Sequence, residues 1–410
     1  MKRLAVCLLA CSWLTPAHAA EDIVVGAIYP LTGNAAQIGA DAHNAIDTML
    51  DIINGTHDKI PMLMGDGGGL ERMDGAHIRV IFADHQNDPQ KARAEAERLI
   101  TQEHVAALIG SYTSATAATI SQVAERYEVP YISMDNSSPS LNKRGLKWFF
   151  RTSPHDEMFT QAMFDFFTDI GKKTGHPVKT VALLYEDSIF GTDSSTVQRK
   201  LATDAGMTIA ADIKYRANSP SLSAEAQRLK AADADVLMPT SYTSDAILLV
   251  RSLAELGYNQ RVIMAQAAGF QEQSFLTGAG PLAEGVFSRS SFALDATKSR
   301  PAIATVNAMY RAKSGKDLND NTSRQIVAVQ VLADAINRAK STKPEELRRA
   351  LISTEVPGED TIMPWKGIRF DDTGQNVLAT PVIQQVKDGV YHTVYPEDVA
   401  VQEPVWNLTK

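Results

Sequence analysis

Short stretches rich in hydroxyl side chains follow three apolar runs of the sequence. The apolar runs are residues 105–109, 129–133 and 236–238, and the hydroxyl stretches are residues 110–116, 134–138 and 239–244. These stretches hold the phenols of Tyr112 and Tyr242 and several serine and threonine hydroxyls, which could contact a small molecule. In open α/β sheets, ligands bind beyond the carboxyl ends of strands, where helix N-termini offer free N–H groups. The pattern therefore indicates a polar small-molecule site, and the alternative is that these residues only cap helices.

Residue patterns typical of catalysis or of metal binding are missing from the sequence. No Gly-x-Ser-x-Gly turn occurs that could present a nucleophilic serine. The glycine run within residues 65–69 lacks the Gly-x-Gly-x-x-Gly spacing and the Gly-Lys-Ser/Thr ending of phosphate-binding loops. No His-x-x-x-His pair occurs, and residues 84–88 lack the glycine and the glutamate of a calcium loop. We therefore expect a binding protein with no catalytic residues, no metal and no cofactor.

Apolar periodicity predicts the strands and helices that must position the hydroxyl stretches. In the first half, strands are predicted at residues 23–29, 77–82, 105–109, 129–133 and 148–151, with helices at 40–53, after Asp88-Pro89, and at 114–127. In the second half, strands are predicted at 180–185, 208–215, 236–238 and 262–265, with helices at 192–205, 221–232 and 245–256. Helices at 302–314 and 323–339 follow, and then a β-hairpin around Asp388-Gly389. Repeated β-α-β order predicts an α/β fold with two doubly wound lobes.

The N-terminus and the charge balance bear on location and on partners. The 410 residues include 40 Lys+Arg and 48 Asp+Glu, and a formal net charge of −8 argues against a nucleic-acid partner. Lys2 and Arg3 precede an apolar run, and Ala17-His18-Ala19 supplies the small residues of a cleavage site. Residues 1–19 are therefore predicted to be a secretory signal peptide cleaved after Ala19. Lipidation at Cys11, one of only two cysteines, would leave an unusually short signal.

A series of short motifs runs in order along the chain. Residues 23–33 read Ile-Val-Val-Gly-Ala-Ile-Tyr-Pro-Leu-Thr-Gly and continue into Ala-Gln-Ile-Gly at 36–39. Residues 84–89, 107–110, 149–152 and 185–191 follow in the same order. This series resembles the periplasmic solute-binding proteins of branched-chain amino acid ABC transporters, the leucine/isoleucine/valine-binding type. The resemblance covers essentially the whole chain after residue 19.

The resemblance implies a type I periplasmic binding protein with two Rossmann-like lobes joined by three crossover strands. The implied lobe one is residues 20–151 and 287–363, and lobe two is residues 152–286 and 364–410. The implied function is capture of a small-molecule ligand in the periplasm by lobe closure, followed by delivery to an ABC permease in the inner membrane. The alternatives are a ligand sensor of the same fold and, less in keeping with the motifs, a doubly wound enzyme.

The resemblance also carries site residues over to this sequence. Ser114 falls where the family uses a hydroxyl and backbone N–H groups for the ligand carboxylate. Asp135 and Ser137 fall where the family offers a carbonyl and a hydroxyl to the ligand head group. Phe190 and Tyr242 fall at aromatic positions of the second lobe.

One position departs from the family pattern. The acidic residue for a ligand ammonium should fall within residues 265–268, but the sequence there is Ala-Gln-Ala-Ala, with Gln266 as the polar residue. A buried ammonium without a carboxylate partner is costly. An ordinary α-amino acid is therefore not expected unless Asp135 supplies the missing charge. The expected ligand is a small organic acid, an amide or an amino-acid-like molecule, aromatic ones included. Arg324 could pair with an acid bidentately, and the alternative is that it is an exposed helix-start residue.

Overall fold

The computed structural model describes residues 21–408 and consists of two α/β lobes. The predicted signal peptide lies outside the described residues. The first part contains β1 (Ile23–Tyr29), α1 (Ala36–Asn54), β2 (Ile78–Asp84), α2 (Pro89–Thr101), β3 (Leu108–Gly110), α3 (Ser114–Tyr127), β4 (Tyr131–Ser133) and β5 (Phe149–Arg151). These strands form a five-stranded parallel sheet in the order β2-β1-β3-β4-β5.

A second sheet is built from the central and C-terminal parts of the chain. The central elements are α4 (Asp156–Thr174), β6 (Thr180–Glu186), α5 (Ile189–Asp204), β7 (Thr208–Tyr215), α6 (Ser223–Ala232), β8 (Val236–Thr240), α7 (Thr243–Glu255), β9 (Val262–Ala265), α8 (Gln273–Ala279) and β10 (Phe287–Ser290). The last elements are α9 (Ala302–Ser314), α10 (Asp320–Ala339), α11 (Pro344–Ile352), β11 (Glu355–Pro357), β12 (Gly367–Arg369), β13 (Val382–Lys387) and β14 (Val390–Tyr395). The seven strands run in the order β14-β13-β10-β9-β8-β6-β7, and the predicted hairpin is the antiparallel β13–β14 pair.

Local sequence signals explain where several helices begin. Asp88 caps α2, accepting hydrogen bonds from the N–H groups of Gln90 at 2.7 Å and Lys91 at 3.1 Å, with Pro89 as the first helical residue. Helix α10 begins at Asp320, three residues earlier than predicted, because Asn319 and Thr322 form a capping box. Among residues 21–408, no helix is long and apolar enough to cross a membrane.

Strand pairing and core packing indicate two lobe boundaries at residues other than those expected from the sequence. Residues 287–290 were expected in lobe one, but they form β10, which pairs with β9 and β13 in the second sheet. Trp365, Phe370 and Ala379 were expected in lobe two, but they pack in one apolar cluster with the core of the first lobe. We therefore propose that lobe one comprises residues 21–151 and 291–379, with the remainder in lobe two.

A buried polar network holds the crossing between the lobes. The Arg151 guanidinium donates to Gln375 Oε1 and to the carbonyls of Asn136 and Ser138, each at 2.8 Å. Asn376 donates to the carbonyls of Thr152 at 2.9 Å and Gly367 at 3.2 Å. Its Oδ1 accepts the backbone N–H groups of residues 369 and 378, each at 3.0 Å. This network fixes the chain that follows β4, where two of the predicted site residues lie.

We expect Asn376→Ala to lower the free energy of unfolding by about 3 kcal/mol, because it leaves two buried carbonyl groups and two partly buried N–H groups without their partner. Urea denaturation monitored by circular dichroism measures this change. Asn259→Ala, at an exposed position, is the matched control and should change stability by less than about 0.5 kcal/mol. Equal effects of the two substitutions would contradict the importance of the network.

Candidate ligand-binding site

A small cavity lies between the two lobes, beyond the carboxyl ends of the parallel strands. The residues that line it are Tyr112, Ser114, Asp135, Ser137, Phe190, Tyr242, Ala268, Arg289, Asn321 and Arg324. Seven of the eight residues proposed from the sequence are among them. The eighth, Gln266, is buried but does not line the cavity, since its amide donates to Asp156 Oδ1 at 2.9 Å. Ala268, Arg289 and Asn321 were not proposed from the sequence.

The hydroxyl stretch after β3 contains both capping residues and cavity residues. Thr113 caps α3, accepting a hydrogen bond from the Thr116 N–H at 3.4 Å, and the Ser111 and Thr116 hydroxyls lie 2.6 Å apart. Ser114, the first residue of α3, takes no part in these bonds and lines the cavity. The capping interpretation thus holds for Thr113, whereas Ser114 stands at a helix N-terminus where partial positive charge favours an anion.

The stretch after β4 is held against the stretch after β3 by Asn136. Its Oδ1 accepts from the Ser133 hydroxyl at 2.7 Å, and its Nδ2 donates to the Ser111 carbonyl at 2.8 Å. Asp135 and Ser137 flank this anchored residue, and both side chains line the cavity. The two stretches therefore form one continuous wall of lobe one.

Aromatic side chains form the wall on the other side. The ring of Tyr242, from lobe two, lies 5.3 Å from Tyr112 of lobe one and 5.4 Å from Phe190 of lobe two, measured between ring centroids. Phe190 sits in the first turn of α5, where the Ser188 hydroxyl accepts its N–H at 3.1 Å. Such faces can pack against an apolar or aromatic ligand.

Two buried guanidinium groups complete the cavity wall. Arg324 is only 2% exposed, which rules out the alternative of an exposed helix-start residue. Its Nε donates to the Ser291 hydroxyl at 2.8 Å, its Nη1 to the Asp135 carbonyl at 3.3 Å, and its Nη2 pairs with Asp320. Both arginines approach Asp320, since Arg289 Nη1 lies 3.4 Å from the same carboxylate.

Arg289 has weaker contacts with the protein than Arg324. Its Nη2 lies 3.8 Å from Asp156, its guanidinium carbon stacks 3.6 Å from the centroid of the Phe159 ring, and its buried Nε has no acceptor among residues 21–408. Burial lowers the pKa of Arg289 to about 10, so the group remains charged at neutral pH. A buried cation with an unmatched N–H is a candidate partner for an acceptor on a ligand.

Three buried carboxyl groups near the cavity differ in charge state. Burial alone would raise the pKa of Asp320, but Arg324 and Arg289 hold it below its ordinary value. Burial raises the pKa of Asp135 to about 8, with Arg324 opposing this rise. Burial, followed by the charges of Asp41 and Asp320, also raises the pKa of Glu272 to about 8. At neutral pH, Asp320 is therefore ionised while Asp135 and Glu272 are mostly neutral.

Glu272 lies four residues after segment 265–268, where the resemblance implies an acidic residue and the sequence has none. It does not line the cavity, because its carboxyl group receives the side-chain amides of Asn319, at 3.1 Å, and Asn321. Ala268, inside that segment, does line the cavity. Segment 265–268 therefore contributes an uncharged residue to the cavity wall.

Comparison with known proteins supports this description of the fold. Residues 22–389 match the family described as periplasmic binding protein, and the chain belongs to this family. It is 29% identical over 390 residues to Leu/Ile/Val-binding protein homolog 8 of Brucella abortus (strain 2308), covering 93% of each chain. The type I fold inferred from the sequence, and a role in binding rather than in catalysis, are thereby confirmed.

Solved structures of the same fold differ in the ligands they contain. The branched-chain amino acid transporter substrate-binding protein LivJ of Streptococcus pneumoniae, in complex with isoleucine, superposes with a TM-score of 0.76 at 21% identity, covering 92% of this chain and all of that one (100%). A solute-binding protein of an ABC transporter from Rhodopseudomonas palustris BisB5, in complex with 3,4-dihydroxybenzoic acid, gives 0.76 at 20% identity, covering 94% and 99%. At these identities the likeness defines the fold alone.

Direct contacts join the lobes across the cleft. The Ser138 hydroxyl of lobe one donates to the Asp193 carboxylate of lobe two, and Asn34 Nδ2 donates to Asn218 Oδ1 at 3.2 Å. Together with the Tyr112–Tyr242 contact, these bonds define a closed arrangement. An opening motion would have to break them.

We expect Asp193→Ala to shift the equilibrium toward an open form about fivefold, because it removes an interlobe hydrogen bond worth about 1 kcal/mol. Residues 21–408 contain no cysteine, so dyes on Glu71→Cys and Arg228→Cys can report the distance between the lobes by energy transfer. Asp204→Ala, which removes an exposed pair with Lys200 within one helix, is the control. Unchanged energy transfer in the Asp193 variant would contradict the assignment of this contact to closure.

Proposed function

We propose that this chain is the exported binding component of an ABC importer and that it captures a small organic acid without an α-amino group. The observation that carries the ligand class is the charge of the cavity wall. Two buried guanidiniums line it and share Asp320, while Asp156 lies 3.8 Å from Arg289. Ala268 brings no charge to the wall from segment 265–268, where the family resemblance implies an ammonium partner. An amide or a related neutral polar ligand is the next candidate.

Binding of an acid is favoured by the groups that remain available. The Ser114 hydroxyl and the N-terminus of α3 offer donors and partial positive charge to a carboxylate. Arg289 offers an N–H group that has no acceptor among the described residues. An α-amino acid would bring an ammonium into a site whose buried cations already number two, which costs free energy. The three aromatic rings fit an acid with an apolar or aromatic body.

Uptake would follow from lobe closure around the acid. The ligand would stabilise the closed arrangement, which an inner-membrane permease could distinguish from an open form. Export with cleavage after Ala19 would place the mature chain in the periplasm, where such a permease is reached. The same closure could serve a sensor instead.

The direct test is a thermal-shift screen followed by isothermal titration calorimetry. The panel holds aliphatic and aromatic carboxylates, branched-chain amino acids, amides and ureas. We expect at least one carboxylate to raise the melting temperature and to bind with a micromolar or lower Kd. Tight binding of leucine with no response to any acid would refute the proposed ligand class.

The charge argument makes a separate prediction at Ala268. Ala268→Glu should weaken binding of the best carboxylate at least tenfold, since a negative charge then faces the anionic ligand. Ala268→Gln is the matched control, because it adds similar volume without the charge and should weaken binding less. Equal losses in both variants would show that crowding, rather than charge, governs this position.

A further inference from the structure

Asp135 is a carboxyl group with too few donors for an ionised state. It is 8% exposed and lines the cavity. Gln325 Nε2 donates to its Oδ2 at 2.9 Å, while its buried Oδ1 has no partner among residues 21–408. An ionised carboxylate has about four acceptor positions, and a buried one with a single donor is unfavourable. A protonated group, by contrast, needs only an acceptor for its O–H.

The neighbouring arginine does not supply the missing donors. Arg324 directs its Nε to Ser291 and its Nη2 to Asp320, and it reaches Asp135 only at the backbone carbonyl. The guanidinium of Arg324 is therefore paired with the carboxylate of Asp320 rather than with that of Asp135. The Asp135 side chain is left facing the cavity with one oxygen unused.

Every element packed around Asp135 contributes to its charge environment. Helix α10 presents Arg324, Asp320 and Gln325, the segment before α8 presents Glu272, and Arg289 of β10 lines the same cavity. The phenol groups that face Asp135 are Tyr29 of β1, Tyr131 of β4 and Tyr112 of the segment after β3. Burial is the largest influence on Asp135 and outweighs the charge of Arg324, which favours ionisation.

We propose that Asp135 binds the ligand as a protonated carboxyl group, with Oδ1–H donating a hydrogen bond to an acceptor oxygen of the acid. This inference rests on the proposed function, because only an anionic or acceptor-bearing ligand uses this donor. A bound anion also favours the proton on Asp135, so acid binding and retention of that proton are coupled. An ammonium ligand would require the opposite charge state.

The first test measures the Kd of benzoate from pH 6 to pH 9.5 by calorimetry, since benzoate itself does not titrate in this range. We expect wild-type affinity to be constant up to about pH 7.5 and to fall about tenfold per pH unit above about pH 8.5. In Asp135→Asn, whose amide can donate at every pH, this fall should be absent. Asp135→Ala should bind benzoate at least tenfold more weakly at pH 6.5.

Asp372→Asn, at an exposed position, is the control and should keep the wild-type pH dependence. Affinity that is independent of pH in the wild type, or that rises with pH, overturns the proposal while leaving the acid ligand class intact. Equal loss in Asp135→Asn and Asp135→Ala overturns it too. If leucine binds and neither benzoate nor any other acid does, the proposed function and this inference both fail.

A second measurement needs no ligand. A carboxyl group whose pKa is higher in the folded than in the unfolded chain holds a proton that unfolding releases, so stability falls as pH rises between the two pKa values. For Asp135 this interval runs from about 4 to about 8. The melting temperature of Asp135→Asn minus that of the wild type should therefore increase steadily from pH 5 to pH 8. A difference that stays constant over this range would overturn the protonated state.

Discussion

Asp320, at the first turn of α10, accepts more polar contacts than any other carboxylate near the cavity. Its Oδ1 accepts the Ser291 N–H at 2.6 Å and the hydroxyls of Ser290 and Ser291, while its Oδ2 faces both Arg289 and Arg324. A carboxylate so surrounded stays ionised in the interior, and it keeps two guanidiniums buried that would otherwise be too costly to desolvate. Because Arg289 lies on β10 and Arg324 on α10, the same ion cluster joins the second sheet to the helix of the first lobe.

The character of the cavity follows from that cluster. Arg289 and Arg324 share Asp320, and Arg289 reaches Asp156 only at 3.8 Å, so its Nε–H has no acceptor among the described residues. Asp135 has no cationic partner for its side chain. Some of the nearby hydroxyl residues cap helices, as Thr113 does, and others line the cavity, as Ser114 does. The aromatic contact across the cleft then determines the shape into which a ligand must fit.

Sequence reasoning found much of the fold and most of the cavity wall, because both depend on local signals. Apolar strands followed by hydroxyl stretches located the segments that hold Ser114, Asp135 and Ser137. The family resemblance then selected these three residues together with Phe190 and Tyr242. The sequence left open whether Arg324 is buried or exposed, because every residue from 320 to 336 is buried between neighbouring elements and no single apolar face remains to be recognised.

Other features were missed for different physical reasons. Arg289 lies in the middle of β10, a four-residue strand of sequence Phe-Ser-Arg-Ser, which has too little apolar character to be recognised as a buried strand. The same weakness explains the misplaced boundary at residue 287. Ala268 has a φ of 48°, outside the usual region for alanine, so only the folded loop brings its methyl group to the cavity. Asn321 reaches the cavity through its place in the first turn of α10, next to Asp320.

The central claim is that this cavity holds an acid without an α-amino group. The protein is purified from its native host in the folded state and is then denatured. Mass spectrometry of the small molecules that denaturation releases tests that claim most directly. We predict an equimolar organic acid that is absent when a Ser114→Ala, Arg289→Met double variant is purified in the same way. Release of an equimolar α-amino acid from the wild-type protein would contradict the account.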